Sequence, residues 1–189
     1  MEMKKIFLIA FGALVMVGQA NAALFHWADG NGHYYEYVQT SLNWHDAKIA
    51  AEEAHGYLAV ITTNAENLFV WDTFNHPMGA WLGGYQHPDV SLPYGSWNWI
   101  TDDGWDWTEW QPGEPNDGGD GVEDNAENHL GYNSNYDYRT WGDFHYSNLR
   151  KYIVEYDTNP SLVPIPAAFW LFCSGLLGLI GLARRKKAA

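Results

Sequence analysis

The stretch Trp110-Gln111-Pro112-Gly113-Glu114-Pro115-Asn116-Asp117-Gly118-Gly119-Asp120-Gly121-Val122-Glu123-Asp124 decides how the chain is read. Residues 114–124 hold five carboxylates and one side-chain amide within eleven positions. Like charges this close repel one another unless water or a cation stands among them. The glycines allow tight turns that aim side chains at one point. The stretch is therefore either a solvated acidic loop or an oxygen-rich nest for a divalent cation. Calcium, which takes about six to eight oxygen ligands, suits the second reading.

The surroundings are acidic too. The chain has 189 residues, with 10 Lys and Arg against 23 Asp and Glu. Between the two apolar ends only Lys48, Arg139, Arg150 and Lys151 are basic; 22 acidic residues against these four leave a net charge of −18. Such a surface repels nucleic acid and anionic membranes and attracts cations. Acidity with few aromatics would mean disorder. Here ten of the 11 Trp and all 12 Tyr lie in the same segment, which argues for a packed core. The single cysteine, Cys173, excludes an intradomain disulfide.

Upstream of the acidic loop, residues 33–39 alternate as a strand does. Trp44, Ala47, Ala51 and Ala54 fall at helical spacing, and Gly56 is placed to end that helix. Tyr57 to Ile61 reads as a short buried strand. Thr63-Asn64-Ala65-Glu66 reads as a capping box opening a second helix to about Phe74, with Leu68 and Trp71 inward. Further strands are expected at 80–82, 97–100, 129–132 and 152–156. Two early helices, long loops and late strands give an α+β domain.

The ends read as addresses. Residues 1–22 have a basic start, an apolar run and Ala20-Asn21-Ala22, the pattern of a cleaved signal peptide. Residues 158–189 form a linker, then Val163-Pro164-Ile165-Pro166, an apolar run from Ala167 to Ala183, and Arg184-Arg185-Lys186-Lys187. The run has the length of a short transmembrane helix, and its basic end is expected in the cytoplasm. This tail resembles a PEP-CTERM-type sorting signal in a Val-Pro-x-Pro variant. That resemblance implies an exosortase-like sorting protease as partner, a Gram-negative bacterium, and an outer-surface or extracellular location. The membrane would be met only through this helix before processing.

Residues 24–157 resemble a C-type lectin-like domain. The likeness rests on motifs in order: Trp44-His45-Asp46-Ala47-Lys48, Gly56-Tyr57-Leu58-Ala59-Val60-Ile61, Ala80-Trp81-Leu82-Gly83-Gly84, Trp97-Asn98-Trp99, Trp110 to Asn116, Trp141-Gly142-Asp143, and Tyr152-Ile153-Val154-Glu155-Tyr156. The resemblance implies a C-type lectin-like fold with two helices, small antiparallel sheets and a long loop region. It implies Ca2+ bound by Glu114, Asn116, Glu123 and Asp143, with Asp117 and Asp124 at an auxiliary ion. It implies a cis peptide before Pro115 and a sugar site made by Glu114, Pro115, Asn116, Glu123 and Asp143. The Glu-Pro-Asn order is the mannose and glucose type. Two departures stand out. The usual ligand Asn is Gly142, and the two usual disulfides have no cysteines, with Ala51 and Val154 at one pair of positions.

The expected function is calcium-dependent binding of a polysaccharide or glycoconjugate. The alternative is a calcium-stabilised module that binds a protein or builds a biofilm matrix without recognising sugar. Trp105, Trp107 and Trp110 are read as loop-packing residues before sugar-stacking ones. No Gly-x-Ser-x-Gly or Cys/His nucleophile pattern occurs, so no enzyme is expected.

Overall fold

The computed structural model describes residues 23–87, 95–118, 127–133, 135 and 138–162. The proposed signal peptide and the C-terminal sorting signal lie outside these. Among the described residues no helix is long and apolar enough to cross a membrane.

The elements run β1 (Leu24–His26), β2 (Tyr34–Leu42), α1 (Trp44–Glu53), β3 (Tyr57–Leu58), α2 (Asn64–Thr73), β4 (Trp81–Gln86), β5 (Trp97–Trp99), β6 (His129–Tyr132), β7 (Trp141–Phe144) and β8 (Arg150–Tyr156). They form a mixed sheet in the order β1-β2-β8-β4-β6-β7, with β3 on β8 and β5 on β4. Early β2 pairs antiparallel with the closing β8, so the two ends of the domain are stitched together. The β4–β8 contact is parallel, and it joins this terminal half to the half that carries the loops.

Local chemistry explains the helices. Asn43 caps α1, its side chain accepting from the Asp46 N–H, and Trp44, Ala47 and Ala51 face the core. Ala51 and Val154 are buried in one apolar cluster, so small side chains pack where the family's disulfide would sit. The end of α1 differs from expectation. His55, not Gly56, takes the left-handed turn, at φ 65°. Gly56 is needed for space: a Cβ there would lie 2.6 Å from the Glu155 carbonyl and 2.7 Å from Val154.

At α2 the Thr63 hydroxyl accepts from the Glu66 N–H, as expected. Glu66 does not return the bond to Thr63; it accepts from the Thr62 N–H at 2.8 Å. The inward face also differs. Leu68 is 40% exposed, while Asn67, Val70 and Trp71 are buried. Asn67 is turned inward by partners that a hydropathy pattern cannot see. It accepts from the Tyr132 hydroxyl and donates to the Arg139 carbonyl.

Strand β7 and the short β1 lie where the sequence pattern is too brief to register. Around β7 gathers an aromatic cluster. Trp141 is fully buried and meets Trp99, Trp107 and Trp110 edge to face at 5.8, 5.1 and 6.1 Å. Trp105 stacks on Trp97 and touches Trp99. The loop tryptophans are thus packed against the core, in a domain without disulfides.

A second device is polar. Glu66 and Glu155 are both 2% exposed and share the Tyr35 hydroxyl, at 2.6 and 3.1 Å. His33 Nδ1 lies 2.6 Å from Glu155, and the Glu155 Oε2 accepts from the Val60 N–H. This network ties α2 to β2 and β8. The hydrogen bond to Glu155 raises the His33 pKa above its ordinary 6.5, against the opposing effect of burial. A raised pKa means the folded state holds the proton more tightly. The stabilisation is complete below pH 6.5 and fades as the pH rises through the raised value. Buried Glu155 is pushed up by desolvation and acts in the same direction. His129, lowered to about 3 by burial, acts oppositely, costing stability as the pH falls below 6.5. We therefore expect His33→Gln to lower the melting temperature at and below pH 6.5 and to flatten its decline as the pH rises above 6.5. Melting curves on both sides of that value check it.

Candidate functional site

Three segments converge at the loop end of the sheet: 110–118, 127–128 and β7. Segment 110 pairs in parallel with β7 through Trp110 and Trp141. The Gln111 N–H donates to the Trp141 carbonyl, and the Trp141 N–H to the Glu109 carbonyl. Gly113, at φ 97°, then turns the chain so that the Glu114 N–H donates back to the Gln111 carbonyl. The Glu114–Pro115 peptide is cis.

Asp143 is the hub. It is 2% exposed, and its two carboxylate oxygens accept from the Asn116 and Asp117 N–H groups at 3.0 and 2.8 Å. The strand thus holds the Glu-Pro-Asn turn by its backbone. Asn116 Oδ1 accepts from the Gly118 N–H at 2.9 Å. Asp117 is buried at φ 52°, and its Oδ1 accepts from the Glu127 N–H at 3.1 Å, which brings the next described segment to the same place.

The electrostatics record the crowding. Glu114 is pushed up to about 8 by burial first, then by a hydrogen bond with and repulsion from Asp143, then by repulsion from Glu127. Its Oε2 is buried and meets no hydrogen-bond partner among the described residues. A carboxylate held protonated among carboxylates is a group whose charged form lacks a positive neighbour.

Of the residues singled out in the sequence, Glu114, Asn116, Asp117 and Asp143 are brought together, with Pro115 buried between them. Glu123 and Asp124 lie outside the described residues. Glu127 is the carboxylate that the sequence reading missed. Its signal was its place just ahead of β6, the strand that pairs with β7 and sets Leu130 opposite Asp143. Gly142 is glycine for a local reason. A Cβ there would meet the Phe144 ring at 2.9 Å and the Asn133 amide nitrogen at 3.4 Å. A side-chain ligand at 142 is therefore blocked unless Phe144 moves.

Among the described residues no three His, Cys, Asp or Glu side chains already form a metal cage. The donor set still fits a hard cation. It consists of carboxylate and amide oxygens, one of them orphaned among the described residues, beside a Glu114 carboxyl whose pKa burial first and neighbouring carboxylates second push up.

This fold is the C-type lectin-like fold. No family model matches the chain. Lectin BRA-3 of Megabalanus rosa is 31% identical over 92 residues, covering 48% of this chain and 54% of its own length. The chain spans about half the length of the lectin relatives it matches. Among solved structures, the carbohydrate-recognition domain of the mouse scavenger receptor C-type lectin superposes with a TM-score of 0.59 at 20% identity, covering 72% of this chain and 96% of its own. A calcium-independent type II antifreeze protein superposes with a TM-score of 0.56 at 23% identity, over 70% and 95%. Proteins named as lectins are among the relatives it matches.

Proposed function

We propose that this domain binds carbohydrate through a calcium ion held by Glu114, Asn116, Asp143 and Glu127, with Glu123 and Asp124 as further acidic donors from the same loop. The observation that supports it most is the buried Glu114 Oε2, which has no hydrogen-bond partner among the described residues, on a carboxyl that hydrogen-bonds Asp143 and is repelled by it and by Glu127. Calcium binding would release the Glu114 proton and relieve that repulsion. Two neighbouring sugar hydroxyls would complete the coordination, donating to the same carboxylates and accepting from the Asn116 amide. The Glu-Pro-Asn order favours a mannose- or glucose-type ligand. A single shallow site of this kind binds at about millimolar strength, about 4 kcal/mol. Many copies on a surface would raise the avidity. The export signals at both ends fit a polysaccharide-facing protein at the cell exterior, sorted by an exosortase-like protease.

The second reading is a module that recognises protein without sugar. Gly142, where a ligand side chain would require the Phe144 ring to move, favours it, as does the likeness to a calcium-independent antifreeze protein. A glycan panel read with calcium and with chelator separates the two. Binding to mannose-type glycans that chelator abolishes is the expected result. No glycan bound, with calcium still raising the melting temperature, would leave the second reading.

A further inference from the structure

A cavity of about 600 Å³ opens beside the start of α1, lined by residues including Trp44, His45, Lys48, Tyr85, His129 and Tyr146. Its size falls within the range of small-molecule sites, about 300–1,000 Å³. It stands on the other face of the sheet from Asp143. Residues paired across antiparallel strands share a face, and neighbours along a strand alternate. Leu130 pairs with Asp143 and His129 with Phe144, so the His129 side chain is turned away from Asp143. It meets the Trp44 ring instead, at 4.5 Å between centroids.

The walls are set by hydrogen bonds within the domain. The Trp44 backbone N–H donates to the Tyr146 carbonyl at 3.0 Å, which ties the β7–β8 loop to α1. The Trp44 indole N–H donates to the Leu82 carbonyl at 2.9 Å, which holds the ring in place. Further rings close the lining. His45 lies 5.2 Å from His129 and 5.3 Å from Tyr146. Tyr146 is 44% exposed, a large ring left open to solvent. Such rings pack well against the face or edge of another aromatic ring.

Charge then selects among ring-bearing ligands. In a domain this acidic, no Asp or Glu stands among the described residues that line the cavity, while Lys48 does. The ammonium is paired with Glu52 on the surface of α1. Surface pairs of this kind hold weakly, so the ammonium is free to turn to a carboxylate in the cavity. His129 Nδ1 is buried with no hydrogen-bond partner among the described residues. In one tautomer that nitrogen is an N–H donor.

We propose that this cavity is a second ligand site, separate from the calcium loop, for a small aromatic acid. The rings hold the aromatic part, and Lys48 and the imidazoles face the carboxylate.

Calorimetry on the full-length protein in calcium tests it. Benzoate is the probe, benzylamine a cation of the same size, and cyclohexanecarboxylate a saturated acid. We expect benzoate to bind at about 0.1–1 mM, about tenfold more tightly than either control. Lys48→Met and Tyr146→Ala should each weaken benzoate about tenfold and leave calcium binding unchanged. Both side chains reach solvent, so neither substitution threatens folding. Benzoate should also shift the imidazole nitrogen resonances of His129 and leave those of His33 in place. Benzylamine bound as tightly as benzoate, benzoate binding that survives both substitutions, or no benzoate binding at all overturns the site. The calcium–sugar reading stands or falls separately, because Asp143 lies across the sheet.

Discussion

Trp141→Ala should lower the melting temperature by roughly 10–20 °C, the largest stability effect expected of any single substitution in the loop half. The indole is fully buried, and three other indoles pack edge to face against it. Emptying such a site costs about 3–5 kcal/mol, because the surroundings collapse only in part. A domain of this size is stable by only about 5–15 kcal/mol, and each kcal/mol moves the midpoint by about 3–5 °C. The loss should spread to Trp110 and Gln111, whose backbone pairs with Trp141, and through them to the Glu-Pro-Asn turn. Trp107→Ala, which removes a partly buried member of the same cluster, is the control and should cost much less. Thermal melts followed by tryptophan fluorescence give the comparison. Equal shifts for the two would mean that Trp141 is not the centre of this packing.

Asp143→Ala should weaken calcium binding by about a hundredfold or more, about 3 kcal/mol. The reason is double. The carboxylate is a proposed ligand, and it also holds the Asn116 and Asp117 N–H groups that orient the other donors. Its removal leaves two backbone donors without partners, at about 1–3 kcal/mol each if water cannot reach them. The calcium-free variant should therefore also melt lower. Glu114→Gln separates charge from scaffolding. It keeps the shape, removes the repelled carboxyl, and should abolish calcium binding with little loss of calcium-free stability. Calorimetric titration of calcium into both variants decides the matter. An isotherm unchanged by Asp143→Ala would take this residue out of the proposed site.

These two residues also mark the limit of sequence reading. Trp141-Gly142-Asp143 was recognisable as a motif, yet its strand was not, since four residues between loops carry no readable period. The helix α1 was legible because Trp44, Ala47 and Ala51 repeat every three to four residues. The same logic misplaced Leu68, an apolar residue left outside, and overlooked Asn67, a polar one buried by two specific hydrogen bonds. At the site, Glu114, Asn116, Asp117 and Asp143 were visible as a local cluster or a motif. Glu127 was not, because its backbone link to Asp117 depends on where the intervening chain returns.

By itself the sequence determined composition-level and local matters. An acidic, tryptophan-rich domain must pack aromatics and attract cations, helices must follow apolar period and cap, and glycines must mark tight approach. Those effects act over a few residues, so a linear reading captures them. The tertiary structure alone decided that Gly142 yields its space to Phe144 and that the Asp143 carboxylate holds the backbone of a turn 27 residues away. Distance along the chain carries no information about these contacts. They exist only once β2 closes on β8 and the loop segments are laid against β7.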